Sequence, residues 1–199
     1  SGAKTWVGTG DRNGIELNLE RSTDGRNWTV ISRSPTWTNR DDTNDTWNYT
    51  FSNLPATDVK GNRYHYRVTE SPLDGYDTVV NGSNFTNVAE GSLTVSKVLS
   101  GGGAESGRDF HFTVTLTGVS TSGTKAEDFN ETLGNVTFVN GVGSFTLRGG
   151  QSITIEGLPA GLDYTVEETD ANQNGYTTSD NGNTQGEIPA GGSVYVQFT

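Results

Sequence analysis

The sequence contains no cysteine and no methionine, and it has no apolar run long enough to span a bilayer. Without cysteine the chain forms no disulfide, no thiolate metal site and no cysteine nucleophile. The lack of both sulfur residues also removes the most easily oxidised side chains, which suits a protein exposed outside the cell. No segment has the pattern of a signal peptide. If the parent protein is secreted and anchored, we expect its export signal and its anchor to lie outside this chain.

Basic residues are scarce: 13 Lys and Arg stand against 24 Asp and Glu, for a net charge of −11. Because affinity for nucleic acid comes mainly from neutralising phosphates, this balance argues against nucleic acid and anionic membranes as partners. His65 and His111 are far apart in sequence and have no paired ligand, so we expect no metal site. The sequence suggests no cofactor, and no Gly-x-Ser-x-Gly motif suggests a hydrolase.

The apolar residues, 30% of the chain, alternate with polar ones instead of scattering. Scattered apolar residues and high net charge would favour disorder, whereas alternation over four to eight residues predicts half-buried antiparallel strands. Such alternation occurs at residues 15–20, 64–69, 110–116 and 193–198. Asn-Gly and Asp-Gly pairs between these segments predict hairpins and loop tips. The one expected helix is a short turn within residues 126–133, so the predicted fold class is all-β.

An internal repeat sets the number of domains. Three motifs recur in the same order: Leu-Pro-Ala at 54–56 and 158–160, Tyr-x-Val-x-Glu at 66–70 and 164–168, and Gly-Tyr at 75–76 and 175–176. A lysine in an early strand precedes each set, Lys4 in the first and Lys97 in the second. The repeat predicts two tandem Ig-like β-sandwich domains, residues 1–89 and 90–199.

This order of motifs, followed by Phe85-Thr86-Asn87 in the last strand of the first copy, resembles the B-type (CnaB) repeat domain of Gram-positive collagen adhesins and pilins. In that family a lysine and an asparagine condense into an amide, ammonia leaves, and a glutamate assists. The resemblance implies that Lys4 is the nucleophile, that Asn87 is the electrophile and that Glu70 is the catalytic acid/base. The alternative is that the three are ordinary strand residues on the surface.

The residue types suit that chemistry. A lysine attacks only as the neutral amine, and burial in an apolar interior lowers its pKa toward that form. A carboxyl group such as that of Glu70 can polarise a carboxamide and relay protons. Folding supplies the proximity, which for well-oriented groups removes about 7–11 kcal/mol of barrier.

In the second copy the resemblance implies that Lys97 and Glu168 are positioned for the same reaction. Glu168 takes the role rather than Glu167, because Glu168 occupies the place of Glu70 in Tyr-x-Val-x-Glu. By register with the first copy, the asparagine partner of Lys97 would follow Thr199. We therefore expect Lys97 to lack its partner within this chain.

The resemblance implies a structural stalk or pilin-like module of a cell-wall-anchored adhesin, outside the cell, rather than a turnover enzyme. Its partners would be neighbouring domains of the same surface protein. The alternative is an adhesin module that binds a host extracellular-matrix protein or a glycan, and the segment from Trp28 to Trp47, with Trp37, is the candidate surface. Asp170-x-Asn172-x-Asn174-Gly175 matches half of a calcium loop, but position twelve is Asn181 instead of glutamate, so a plain turn is the better interpretation.

Overall fold

A computed structural model describes all 199 residues of the chain, which divides into two compact units, Ser1–Asn87 and Val88–Thr199. The prediction of an all-β protein is confirmed, since the only helical element is one 3-10 turn, Ala126–Asp128. The short turn expected within residues 126–133 is present, but it ends at Asp128 and a strand begins at Thr132. No helix of the protein is long and apolar enough to cross a membrane.

The first unit is built from eight strands, the last of which continues to Ala89. They are β1 (Gly2–Val7), β2 (Leu17–Ser22), β3 (Thr29–Ile31), β4 (Thr36–Thr38), β5 (Thr46–Thr50), β6 (His65–Glu70), β7 (Tyr76–Asn81) and β8 (Asn84–Ala89). One sheet has the order β4-β5-β1-β8-β7 and the other the order β3-β2-β6. Inward-facing residues of both sheets form the core, with Leu17 and Leu19 of β2 packed toward Tyr49 of β5 and Phe85 of β8.

A tight hairpin joins β7 to β8 and sets the position of the last strand. The connection is the pair Gly82–Ser83, and Gly82 has φ of +61°, as the first residue of a type II′ turn requires. The start of β1 approaches this hairpin closely, because a Cβ added to Gly2 would lie 1.9 Å from the Ser83 carbonyl oxygen. The first and last strands of the unit are therefore neighbours in one sheet.

The second unit repeats the two-layer arrangement with nine further strands. They are β9 (Gly91–Lys97), β10 (Asp109–Thr117), β11 (Thr132–Leu133), β12 (Val136–Val139), β13 (Val142–Arg148), β14 (Ser152–Leu158), β15 (Asp163–Glu168), β16 (Gln185–Glu187) and β17 (Ser193–Phe198). The orders are β11-β12-β13-β10-β15-β16 and β14-β9-β17. The first strand β9 and the last strand β17 pair in parallel, with Lys97 opposite Phe198. The predicted β-sandwich architecture is confirmed in both units.

Candidate functional site

Lys4 is completely buried in the first sandwich. Side chains of a strand alternate between the two faces of its sheet, and Lys4 shares the inward face of β1 with Trp6. The exposed fraction of Lys4 is 0%, and its Nζ lies 4.7 Å from the centre of the Trp6 ring. A lysine is almost never buried without a polar partner, because the loss of hydration would be too costly.

The partner of Lys4 is Glu70, which comes from the opposite sheet. Glu70 is the last residue of β6, and its Oε1 lies 2.8 Å from Lys4 Nζ. The Glu70 side chain is 2% exposed, so the pair is closed to water. Its second oxygen, Oε2, is buried and has no hydrogen-bond partner. One carboxylate oxygen is therefore free to take part in a proton transfer.

Asn87 brings a carboxamide into the same interior from β8, the strand beside β1. Its exposed fraction is also 0%. The hydroxyl of Thr78, on β7, donates a hydrogen bond of 2.8 Å to Asn87 Oδ1. The amide nitrogen Nδ2 is buried without a partner. A buried donor left unpaired costs about 1–3 kcal/mol, so this nitrogen calls for an explanation.

Burial and charge perturb two titratable groups at this site. Burial lowers the pKa of Lys4 from its ordinary value, and the hydrogen bond and negative charge of Glu70 partly oppose that shift. Burial and, secondarily, the charge of Glu70 raise the pKa of Tyr49 to about 12. A lowered lysine pKa increases the fraction of neutral amine, which is the nucleophilic form.

The second sandwich contains a matching pair. Lys97 Nζ lies 2.8 Å from Glu168 Oε2, and the two side chains are 2% and 1% exposed. Lys97 Nζ also lies 4.5 Å from the centre of the Phe110 ring, as Lys4 lies over Trp6. Glu168 points inward at the end of β15, whereas Glu167 is exposed. The partner of Lys97 in this unit is thus Glu168.

Three features distinguish the second lysine–glutamate pair. The second oxygen of Glu168 accepts a hydrogen bond of 3.3 Å from the Thr178 hydroxyl, so it does not lack a partner as Glu70 Oε2 does. An open cavity of about 410 Å³ reaches the lysine and is also lined by Tyr176 and Thr199. The last strand, β17, carries no asparagine.

Each half of the chain matches a known domain family. The profile of the Cna protein B-type domain matches residues 1–88. The profile of a second family, the domain of unknown function DUF7601, matches residues 91–199, which is more than half of the chain.

The chain belongs to the DUF7601 family, and its residues 1–88 match the Cna protein B-type domain, so this part is called the B-type domain below. The resemblance inferred from the motifs of the B-type domain is thereby confirmed. The pair of Lys97 and Glu168 lies within the DUF7601 domain.

Two curated relatives come from Streptococcus pyogenes. The chain is 37% identical over 93 residues to the pilus tip adhesin Cpa, and the match covers 45% of this chain and 13% of the adhesin. It is 33% identical over 101 residues to a pilin of serotype M1, covering 44% of this chain and 28% of the pilin. The chain thus corresponds to a minor part of either relative's length.

Among solved structures, the major pilin protein T3.2 of the same species aligns with 98% of this chain and 95% of its own. The sequence identity is 19% and the TM-score is 0.46. The pilus-presented adhesin Cpa aligns with 58% of this chain and 29% of its own, at 23% identity and a TM-score of 0.44. The sandwich architecture described above rests on the sheets of this chain alone.

The motifs did not indicate a role for Thr78 of the B-type domain or Thr178 of the DUF7601 domain. Each follows the repeated Gly-Tyr by two residues, and each donates to a group at the buried lysine–glutamate site. The signal was present in the sequence as a longer repeat, Gly-Tyr-x-Thr. Tyr49 was also not predicted near Glu70, because its position depends on the pairing of β5 with β1.

Two of the three tryptophans in the candidate binding segment pack on the core of the B-type domain, while Trp28 stacks under the Arg67 guanidinium. Trp47 is buried, and Trp37 packs on it with ring centres 6.0 Å apart. The part of Trp37 that is still accessible lines an open groove of about 630 Å³, over which Arg40 stacks on the indole. Trp37 is therefore half-buried. It lies between the exposed side chain expected of a ligand-binding surface and the buried side chain expected of a structural module.

The calcium-like segment of the DUF7601 domain is held by hydrogen bonds within the protein. Asp170 accepts a hydrogen bond of 3.1 Å from the His111 amide, and Asn172 accepts one of 2.9 Å from the Thr178 amide. Asn172 and Asn174 adopt the left-handed conformation, with φ of +57° and +55°. Asparagine tolerates this region of backbone space in turns, so the segment has the geometry of a turn.

Proposed function

We propose that the B-type domain forms an amide bond between Lys4 and Asn87, with Glu70 as the acid/base, in a structural module of a bacterial surface protein. The observation that carries this proposal is a fully buried amine paired at 2.8 Å with a buried carboxyl, beside a fully buried carboxamide on the neighbouring strand. Asn87 Nδ2, the orphaned donor, is the atom that the reaction would release.

The reaction is a transamidation that needs no cofactor. The neutral Lys4 amine attacks Cγ of Asn87, and Glu70 carries a proton from the attacking nitrogen to Nδ2. Nδ2 leaves as ammonia, and Lys4 Nζ takes its place in the new amide. Bond formation removes the buried Lys4–Glu70 ion pair and the unpaired donor Asn87 Nδ2. The folded interior therefore favours the amide product. Each chain reacts once, and no external substrate is turned over.

The bond would join the first and last strands of the domain. β1 and β8 are adjacent in one sheet, and tension applied to the chain enters and leaves through them. If the chain-entropy estimate for disulfides applies, closing the loop between Lys4 and Asn87 stabilises the domain by about 4–5 kcal/mol. An amide also resists reduction, which suits a cysteine-free protein outside the cell.

The relatives of the chain support a setting for the module. Its similarity to a pilin and to a pilus tip adhesin supports a pilin-like, surface-exposed module of a Gram-positive cell, with cell-wall anchoring supplied by other parts of the parent protein. We propose that the two domains are residues 1–89 and 90–199, and that neighbouring domains of the same surface protein or pilin subunits are the partners. Binding of a host matrix protein or glycan has weaker support, because Trp37 packs onto the core.

Intact mass and peptide mapping test the bond. The parent chain should weigh one ammonia less than its sequence, and Lys4→Ala, Asn87→Ala and Glu70→Ala should each restore the full mass. Since trypsin does not cleave after an acylated lysine, digestion should yield residues 1–12 joined to residues 68–97. Lys97→Ala is the matched control and should retain the deficit. A parent chain of full mass would refute the proposal.

A further inference from the structure

A threonine occupies the same place in both domains. The repeat Gly-Tyr-x-Thr spans residues 75–78 and 175–178, and each threonine hydroxyl reaches the buried lysine–glutamate site. Thr78 donates to Asn87 Oδ1 at 2.8 Å, whereas Thr178 donates to Glu168 Oε1 at 3.3 Å. Two unrelated surface threonines would have no reason to share this position.

The strand pairing explains why the positions are equivalent. Thr78 lies on β7, which pairs with the last strand of its domain, β8. In the second domain Ser179 and Thr199 exchange two backbone hydrogen bonds of 2.9 and 2.8 Å, which places Thr178 beside the end of the last strand. In each domain the threonine therefore stands on the segment next to the last strand.

The contact of Thr78 falls on the atom where charge would develop. When an amine attacks Asn87 Cγ, the electron pair of the C=O double bond moves onto Oδ1. A preorganised donor at such an oxygen stabilises the tetrahedral intermediate. In this structure the side-chain donor at Oδ1 is Thr78, while Glu70 contacts the lysine through Oε1 and has its other oxygen free.

We propose that Thr78 is a catalytic residue of the B-type domain, the oxyanion donor for condensation of Lys4 with Asn87. This inference rests on the proposed function. The Thr78 hydroxyl donates to Oδ1 as the Nζ–Cγ bond forms, and Glu70 moves the proton from Nζ to Nδ2. The pair on Oδ1 then returns to carbon, the Cγ–Nδ2 bond breaks and ammonia leaves, so that every atom is accounted for.

The same hydrogen bond also orients the carboxamide. An asparagine side chain can turn over and exchange its oxygen and nitrogen, and only one orientation presents nitrogen as the leaving group to the acid. Since the Thr78 hydroxyl donates to Oδ1, it selects the orientation in which Nδ2 is the unpartnered atom. Thr78 thus donates a hydrogen bond to the carboxamide oxygen, and Glu70 transfers the proton between the two nitrogens.

The test is the rate of bond formation in newly made chains. The chain and its variants are synthesised in a cell-free system, aliquots are quenched in acid, and the fraction that has lost ammonia is measured by intact mass. Thr78→Val keeps the shape but loses the hydroxyl, and it should slow closure by about 10²-fold, as loss of one oxyanion donor does. Thr78→Ser keeps the hydroxyl and should react within a few-fold of the parent rate.

Two controls separate the possible failures. Thr178→Val makes the same change in the second domain and should leave the rate unchanged. In a Lys4→Met background, which cannot form the bond but keeps Asn87 as acceptor, Thr78→Val should leave the first domain folded at the assay temperature, whereas a threonine needed for the fold itself would leave it unfolded there. If the parent closes and Thr78→Val closes equally fast, the oxyanion role is wrong and the amide bond stands. If the parent never loses ammonia, the proposed function itself is wrong.

Discussion

Each of the two domains buries a lysine–glutamate pair, but their hydrophobic cores differ in size. The first unit buries eight hydrophobic residues, six of them aromatic, and the second buries twenty-two. Buried apolar area is the main source of folding free energy, at about 25 cal/mol per Å². The second domain therefore has a large core, while the first has a small one that the proposed amide bond would supplement.

The two lysine–glutamate pairs also differ in how many of the polar atoms around them have hydrogen-bond partners. In the first domain Glu70 Oε2 and Asn87 Nδ2 lack partners, a costly arrangement that the proposed reaction relieves. In the second domain the Thr178 hydroxyl satisfies the free oxygen of Glu168. We therefore expect the buried lysine–glutamate pair to react in the first domain, where Asn87 supplies a carboxamide, and to remain an ion pair in the second domain, whose last strand has no asparagine.

Loss of the proposed Lys4–Asn87 bond should have the greatest effect on stability, and it should affect the first domain alone. Asn87→Ala removes the proposed amide and should destabilise the first domain by about 4–5 kcal/mol, which for a domain of this size lowers its melting temperature by about 20 °C or more. Differential scanning calorimetry should show the transition of the second domain unmoved. Equal melting of the first domain in parent and variant would contradict a covalent clamp.

A smaller effect is expected when the second pair is broken. Glu168→Ala leaves Lys97 buried without its partner, and an uncompensated buried charge costs about 3–5 kcal/mol. The control is Glu167→Ala, an adjacent but exposed position, which should change stability by less than about 0.5 kcal/mol. Urea unfolding of the two variants measures the difference. Similar losses for both would mean that the buried pair contributes nothing particular to the second domain.

The smallest expected effect is a pH dependence confined to the unbonded first domain. In Asn87→Ala, Lys4 remains an amine whose pKa burial has lowered, so above that pKa the unfolded chain binds more protons than the folded one. Stability should therefore rise from pH 7 to 9.5, with a slope of at most about 1.4 kcal/mol per pH unit.

Adding Lys4→Met to the Asn87→Ala variant should abolish that rise. The measurement stops at pH 9.5 because Tyr49, with a pKa of about 12 in the folded state, reverses the trend above its unfolded pKa of about 10. Urea unfolding at several pH values gives the slope. A flat profile in the single variant would show that burial does not perturb Lys4.

Several elements could be predicted because their signals are local. Residues 193–198 alternate strictly and form β17, and residues 110–116 lie within β10. The expected strand at 15–20 begins instead at Leu17, since alternation marks the faces of a strand better than its ends. Lys4, Glu70 and Asn87 were singled out by ordered motifs, which are a property of the chain and need no coordinates.

The sequence alone was enough to predict that the protein is all-β, that motifs recur in its two halves, and that a lysine, a glutamate and an asparagine are the candidate reactive groups. The fold was needed to show that Lys4 meets Glu70 across the two sheets, that Thr78 donates to the oxygen of Asn87, and that Thr178 donates to the second glutamate. The difference lies in the range of the interactions. Strand periodicity and turn chemistry are encoded in neighbouring residues, whereas a hydrogen bond between strands depends on sheet order and register, which arise only when distant segments pair.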